Sequence, residues 1–230
     1  MAAHGPIGDL TVVVQAGGLS TRLGYDKARA SFAGRPLIER VLERVAPVAS
    51  ELVVTTPRPA QLDFLEGFAP EGTPVRVAAD LPGGPGAMRG IASSLSAAAT
   101  PLVAILACDM PFASPDLISA LAARLRTDGL DACVPRTHLG IEPLCAVWRR
   151  ASCLPHALAL LEAGRQRIRF LLDAVRTGYF EEGEAAAAAG GTRCFINVNT
   201  RADLLRAERL ALEGPDGVGP GPLLTAPSKG

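Results

Sequence analysis

The segment Gln15-Ala16-Gly17-Gly18-Leu19-Ser20-Thr21-Arg22-Leu23-Gly24-Tyr25-Asp26-Lys27 concentrates residue types that handle phosphate. Gly17 and Gly18 let backbone N–H groups approach a ligand with no Cβ in the way. Arg22 and Lys27 add two cations to the same loop. The loop follows the apolar run Thr11–Gln15 (TVVVQ), where α/β folds place ligand-binding loops. Together these features suit a nucleoside triphosphate. The plainer alternative is a glycine-rich turn carrying two solvated cations. Two familiar phosphate motifs are absent. The pattern G-x-x-x-x-G-K-[ST] fails because five residues separate Gly18 from Gly24, and Lys27 precedes Ala28. G-x-G-x-x-G is also missing.

Asp109 follows the apolar run Leu102–Ala107, just past what reads as a buried strand. Mg²⁺ takes one or two carboxylates together with phosphate oxygens and waters, so Asp109 is the candidate metal ligand. An Asp ahead of a proline also serves simply to cap a turn. Asp80 closes Pro74–Asp80 at a second strand-to-loop junction, before Pro85-Gly86-Ala87-Met88-Arg89-Gly90. Arg165-Gln166-Arg167-Ile168-Arg169 clusters arginines that would suit an acceptor phosphate or, more plainly, form a solvated face. In Phe195-Ile196-Asn197-Val198-Asn199-Thr200, alternation puts Asn197 and Asn199 on one side of an extended segment. Alone, these two asparagines read as turn and cap residues.

As a string, the first loop resembles the signature A-G-G-x-S-x-R-M-G-x-D-K of nucleotidyltransferases with a GT-A-like fold. Within that group the chain is similar to the molybdenum cofactor guanylyltransferases. The likeness runs from about Val12 to Leu205 and includes the continuation Ala28–Leu42. It implies transfer of GMP from GTP to the terminal phosphate of molybdopterin, with pyrophosphate leaving. It implies catalytic roles for Arg22, Lys27 and Asp109, with Mg²⁺ on Asp109. Nucleotide contacts fall on Gln15, Ala16, Gly17, Gly18, Lys27, Thr55, Asp80, Gly86 and Asp109. Acceptor contacts fall on Arg167, Asn197 and Asn199. Implied partners are GTP, molybdopterin, cofactor-supplying proteins and molybdoenzyme chaperones. The attacking phosphate is already anionic, so no general base is required.

The chain departs from the family pattern at several positions. Gln15 stands where Leu is usual, Leu23 replaces Met, and Thr55 stands where some relatives place Asn. Ala87 and Arg89 alter the P-G-P-L-A-G motif, and Glu142 precedes Pro143-Leu144 where His is common. These departures leave open CTP or another NTP, with molybdopterin or a sugar phosphate as acceptor. A non-catalytic GTP-binding module for cofactor insertion is a further alternative. It explains less well why Arg22, Lys27 and Asp109 occur together.

Short β-branched runs alternate with amphipathic stretches. Thr11–Gln15, Glu51–Thr55, Pro74–Ala78, Leu102–Ala107, Leu130–Val134, Pro143–Arg149 and Thr192–Ile196 read as strands. Pro36–Val48, Met88–Ala98, Ser152–Glu162 and Arg165–Arg176 read as helices, as do segments capped by Ser114 and Thr200. Ala185–Ala189 reads as a loop or frayed helix. The run LVAILA is apolar on both faces, as in the middle of a parallel sheet covered on each side. The expected fold is a Rossmann-like three-layer α/β/α sandwich with a mostly parallel central sheet, GT-A-like in the family sense.

The chain has 230 residues, 48% of them hydrophobic, enough to bury a large core. One domain is expected over residues 1–213, with a nucleotide half from about 10 to 127 and an acceptor half from about 128 to 213. A disordered tail is expected over 214–230, which is rich in Gly and Pro. Lys+Arg and Asp+Glu both number 23, which disfavours nucleic acid and membrane surfaces as partners. No secretory signal or membrane-spanning run is evident, so a cytoplasmic location is expected. Five scattered cysteines fit buried, reduced thiols rather than a zinc site.

Overall fold

The structure, a computed structural model, describes residues 5–17 and 27–213; Gly18, Arg22 and the segment 214–230 lie outside them. In chain order the strands are β1 (Ile7–Gln15), β2 (Ser31–Phe32), β3 (Arg35–Pro36), β4 (Ala49–Thr56) and β5 (Val75–Ala79). They continue as β6 (Leu102–Ala107), β7 (Ala132–Thr137), β8 (Gly140–Ile141), β9 (Cys145–Arg149) and β10 (Thr177–Glu181). The helices are α1 (Leu37–Val45), α2 (Ala87–Ala97), α3 (Pro115–Thr127), α4 (Arg150–Glu162), α5 (Arg169–Ala174), α6 (Glu182–Ala189) and α7 (Arg201–Glu213).

The main sheet has the order β10-β7-β9-β6-β1-β4-β5, with β8 paired to β7. β1 pairs in parallel with β4 and β6, and β4 pairs in parallel with β5. β9 runs antiparallel to both β6 and β7. The expected mostly parallel α/β sandwich is therefore the observed architecture.

The side-chain pattern explains the layers. Val12 and Val14, Leu52 and Val54, and Ala104 and Leu106 face a cluster with Ile38, Val41 and Leu42 of α1 and Leu117 and Leu121 of α3. Val13, Val53, Val103 and Ile105 face the other way, onto Met88, Ile91 and Leu95 of α2, Cys153 of α4 and Leu171 of α5. Alternation along three adjacent strands thus feeds two cores. A third cluster joins Phe32, Phe112, Val198 and Leu204, and so fastens α7 beside the loop after β6. Phe32 and Phe112 meet edge to face, with centroids 6.0 Å apart.

Four segments differ from expectation. The helix expected from Arg165 begins only at Arg169. Gly164, at φ +68°, ends α4, while Arg165 N–H and Gly164 N–H donate to the Leu160 and Leu161 carbonyls. Arg165 thus closes one helix and does not open another. Thr192–Ile196 is not a strand, because Arg193–Phe195 forms a 3₁₀ turn. The alanine run is a proper helix, held by a reciprocal Glu181–Glu184 capping box and a left-handed Gly190. β10 gave no clear signal, since TGYFE pairs on one side only, at the sheet's end.

All five cysteines are buried, and none is in a disulfide. Burial pushes the Cys133 thiol up to about 11 and the Cys153 and Cys194 thiols up to about 12, so these three stay neutral at neutral pH. No described helix is long and apolar enough to cross a membrane.

Ser114 caps α3 as expected, its hydroxyl accepting from Leu117 N–H at 3.2 Å while the residue is buried. Ser114→Ala should destabilise the chain by about 1 kcal/mol in urea unfolding. A loss below about 0.3 kcal/mol would show that the cap adds nothing here.

Candidate functional site

The parallel strands β1, β4, β5 and β6 all end at one edge of the sheet, so their loops emerge together. Backbone bonds lace these loops. Ala16 N–H donates to Thr55 O at 2.7 Å, and Cys108 N–H donates to Gln15 O at 3.0 Å. Asp80 N–H donates to Thr56 O at 2.9 Å, and Val198 N–H donates to Asp109 O at 2.8 Å. Above them lies a cavity of about 330 Å³, lined by Gln15, Ala16, Gly17, Lys27, Asp80, Gly86, Arg89, Cys108, Asp109 and Leu144, among others. Seven of the sequence-predicted residues meet there: Gln15, Ala16, Gly17, Lys27, Asp80, Gly86 and Asp109.

One end of the cavity holds an ion pair. Lys27, in a 3₁₀ turn, places Nζ 2.9 Å from Asp109 Oδ2 and 2.7 Å from Asn199 Oδ1. Both charged side chains are mostly shielded, at 18% and 15% exposure. The other carboxylate oxygen, Asp109 Oδ1, is buried without a hydrogen-bond partner. A buried acceptor left unpaired is costly, and a hard cation would satisfy it. Among the described residues no group of three or more His, Cys, Asp or Glu could hold a metal. The donor set therefore fits Mg²⁺ shared with phosphate oxygens and does not fit a cage made by protein alone.

The other end carries Asp80 and Arg89. Asp80 is 6% exposed, and Arg89 Nη2 lies 3.7 Å from its Oδ2. Burial pushes the Asp80 carboxyl above its ordinary range, and the Arg89 charge opposes the rise. A Cβ at Gly17 would stand 3.0 Å from Asp80 Oδ2, so glycine is what lets this carboxylate lie against the first loop. Gln15 reaches across to α2, where its Nε2 donates to Ser94 Oγ at 2.9 Å. A Cβ at Gly90 would stand 2.7 Å from Gln15 Oε1, so the polar residue at position 15 packs on a glycine of the facing helix.

Four further described candidates do not line the cavity. Thr55 is buried beneath the cavity and does not line it, and its hydroxyl has no partner. Arg167 is exposed and outside the lining, in the stretch between α4 and α5. Its neighbour Gln166 reaches the site instead, for a Cβ at Gly86 would stand 2.4 Å from Gln166 Oε1. Asn197 donates locally to Phe195 O at 3.3 Å. Asn199, by contrast, holds Lys27. From the sequence Arg89 stood out only as an extra cation, Leu144 only as part of the Glu142-Pro143-Leu144 turn, and Gln166 had no role of its own. Arg89 had a signal, its place beside Gly90 in the second glycine segment. Gln166 had none.

Comparison with known proteins finds relatives along most of the chain. The family description "MobA-like NTP transferase domain" matches residues 12–179. A probable molybdenum cofactor guanylyltransferase of Natronomonas pharaonis is 38% identical, covering 89% of this chain and 100% of its own. A molybdenum cofactor guanylyltransferase of Desulfosudis oleivorans is 32% identical, over 86% of this chain and 94% of its own. The crystal structure of molybdopterin-guanine dinucleotide biosynthesis protein A from Archaeoglobus fulgidus superposes with a TM-score of 0.75 at 26% identity, covering 89% of this chain and all of that one.

The raised Asp80 carboxyl has a measurable consequence. It binds its proton more tightly in the folded chain than in the unfolded one, so its contribution to stability falls as pH rises above its ordinary value of 3.8. Asp80→Asn removes that dependence. The difference in Tm, variant minus wild type, should therefore grow in the variant's favour from about pH 3.5 to pH 7. A difference that stays flat or shrinks would show that burial does not govern this group.

Proposed function

Because this chain belongs to the MobA-like NTP transferase family, and is a nucleotidyltransferase of molybdenum cofactor biosynthesis, we propose that it transfers GMP from GTP to the terminal phosphate of molybdopterin, releasing pyrophosphate. The observation that carries this reading is the two-ended cavity. Lys27 and the half-paired Asp109 stand at one end, and the Asp80–Arg89 wall stands at the other. A triphosphate needs the first end and a polar base needs the second.

The roles follow from the side chains. Lys27 supplies positive charge to the β- and γ-phosphates that leave as pyrophosphate, and Asn199 Oδ1 keeps its ammonium in place. Arg22 adds a second cation from the same loop. Gly17 and Gly18 bring backbone N–H groups to the phosphates. Asp109, through Oδ1, would hold Mg²⁺, which when bound supplies charge neutralisation at the triphosphate. Asp80, ionised and acceptor-only, faces the donors of the base. Gln15, Ala16 and Gly86 shape the wall around it, with Thr55 supporting them from below. Arg167 and Asn197 are assigned to the acceptor.

The incoming phosphate carries its own negative charge, so positioning and charge stabilisation suffice for in-line attack at the α-phosphate. Nearly all the lining comes from the half between about 10 and 127, with Leu144 joining from the other, which supports a nucleotide half and an acceptor half. A cytoplasmic location and transfer to partner chaperones belong to the same proposal.

The test is pyrophosphate release across the four NTPs, with and without molybdopterin. Release is expected with GTP plus molybdopterin and Mg²⁺. Release with CTP instead, or GTP binding without turnover, would overturn the proposal. Lys27→Ala should lower kcat/KM by about 10²–10³, the range for removing a transition-state donor. Retention within about threefold would remove Lys27 from the mechanism. Asp109→Asn should abolish the divalent-cation dependence of turnover along with most of the rate.

A further inference from the structure

We propose that Arg89 is a specificity-determining residue, whose guanidinium, held against Asp80, reads the acceptor edge of the bound base, O6 and N7 of a guanine. This rests on the reading above that the nucleotide is GTP, and it names a residue that selects it.

The sheet order fixes which end of the cavity receives the base. β1 and β4 stand between β6 and β5. Neighbouring strands lie about 4.8 Å apart, so the ends of β6 and β5 are roughly 14 Å apart. Asp109 follows one and Asp80 follows the other. A nucleotide with its phosphates at Lys27 and Asp109 therefore extends its base toward Asp80.

There the guanidinium is mostly shielded but poorly supplied with acceptors. The Arg89 side chain is 13% exposed. Nη1 donates to Leu81 O at 3.3 Å, Nη2 stands 3.7 Å from Asp80 Oδ2, and Nε is buried with no partner. Five donors thus share two long contacts, although desolvated charge is normally well paired. Arg89 lines the cavity, so a ligand's acceptors can complete the set.

The pairing also matches one base better than the others. Guanine presents donors at N1 and N2 and acceptors at O6 and N7, on adjacent edges. An adjacent carboxylate and guanidinium complement that order, and Arg toward O6 and N7 is a favoured geometry. Adenine would turn its N6 amino group toward the guanidinium and its N1 acceptor toward the carboxylate. Cytosine presents a similar mismatch through N4 and N3. The pair therefore rejects as well as selects.

The experiment is equilibrium binding of GTP, 7-deaza-GTP (no N7), 6-thio-GTP (a weak acceptor at position 6) and ITP (no 2-amino group) to the full chain with Mg²⁺. Wild type, Arg89→Ala and Arg89→Lys are compared. For wild type, the 7-deaza and 6-thio analogues should each bind more weakly than GTP by about fivefold or more. In Arg89→Ala, GTP should weaken to meet them, within about twofold, while the ratio of GTP to ITP persists. Arg89→Lys should fall between, because it keeps the charge and loses the fork. If Arg89→Ala weakens all four ligands by one common factor, Arg89 serves only to hold Asp80, and the inference fails. It also fails if wild type does not distinguish the analogues. Wild type that prefers a nucleotide other than GTP overturns the proposed function itself. A GTP preference independent of Arg89 overturns this inference alone.

Discussion

A parallel sheet buried on both faces has nowhere to place polar chemistry except at the ends of its strands. β1 is the clearest case, with hydrogen-bonded neighbours on both edges and Val12, Val13 and Val14 fully buried between two helical layers. Its next residues must leave the sheet at the C-terminal edge, and so must those of β4, β5 and β6. The cavity exists because four chain segments are forced out at one rim and then tied to each other by backbone bonds.

The two ends of that cavity solve opposite electrostatic problems. At Asp109 a carboxylate is half neutralised by Lys27 and keeps one oxygen unpaired. At Asp80 a carboxylate is more deeply buried, pushed toward its neutral form by desolvation and drawn back by Arg89. The first arrangement leaves room for added positive charge beside a polyanion. The second presents acceptor and donor side by side, as a heterocycle requires. Overall charge balance between acidic and basic residues conceals this separation.

Much of the fold was legible because alternation and periodicity follow directly from burial. TVVVQ and LVAILA declared a doubly covered sheet, and Ser114-Pro115-Asp116 declared a helix start, since both depend on neighbours in sequence. The mistaken elements were those decided at a distance or by a competing cap. Arg165 reads as helical until its N–H is seen closing α4. Thr192–Ile196 reads as a strand, yet Arg193–Phe195 coils into a 3₁₀ turn, and just beyond it Val198 N–H bonds to the Asp109 carbonyl. β10 lies at the sheet's end with a single partner, so its sequence bears little of the burial that marks inner strands.

By itself the sequence determined the chemistry available: a glycine-rich loop with its lysine, two carboxylates after strands, and an arrangement of elements that had to form an α/β sandwich. These are local properties, set by residue type and by spacing of a few positions. Only the tertiary structure decided which of those groups face one another. It placed Lys27 between Asp109 and Asn199, 82 and 172 residues away in the chain. It turned Gln15 onto Ser94, sank Thr55 out of reach, left Arg167 exposed and brought Gln166 over Gly86. The reason is that strand order and loop closure, which set these distances, arise from packing the whole sheet at once and leave no trace in any single segment.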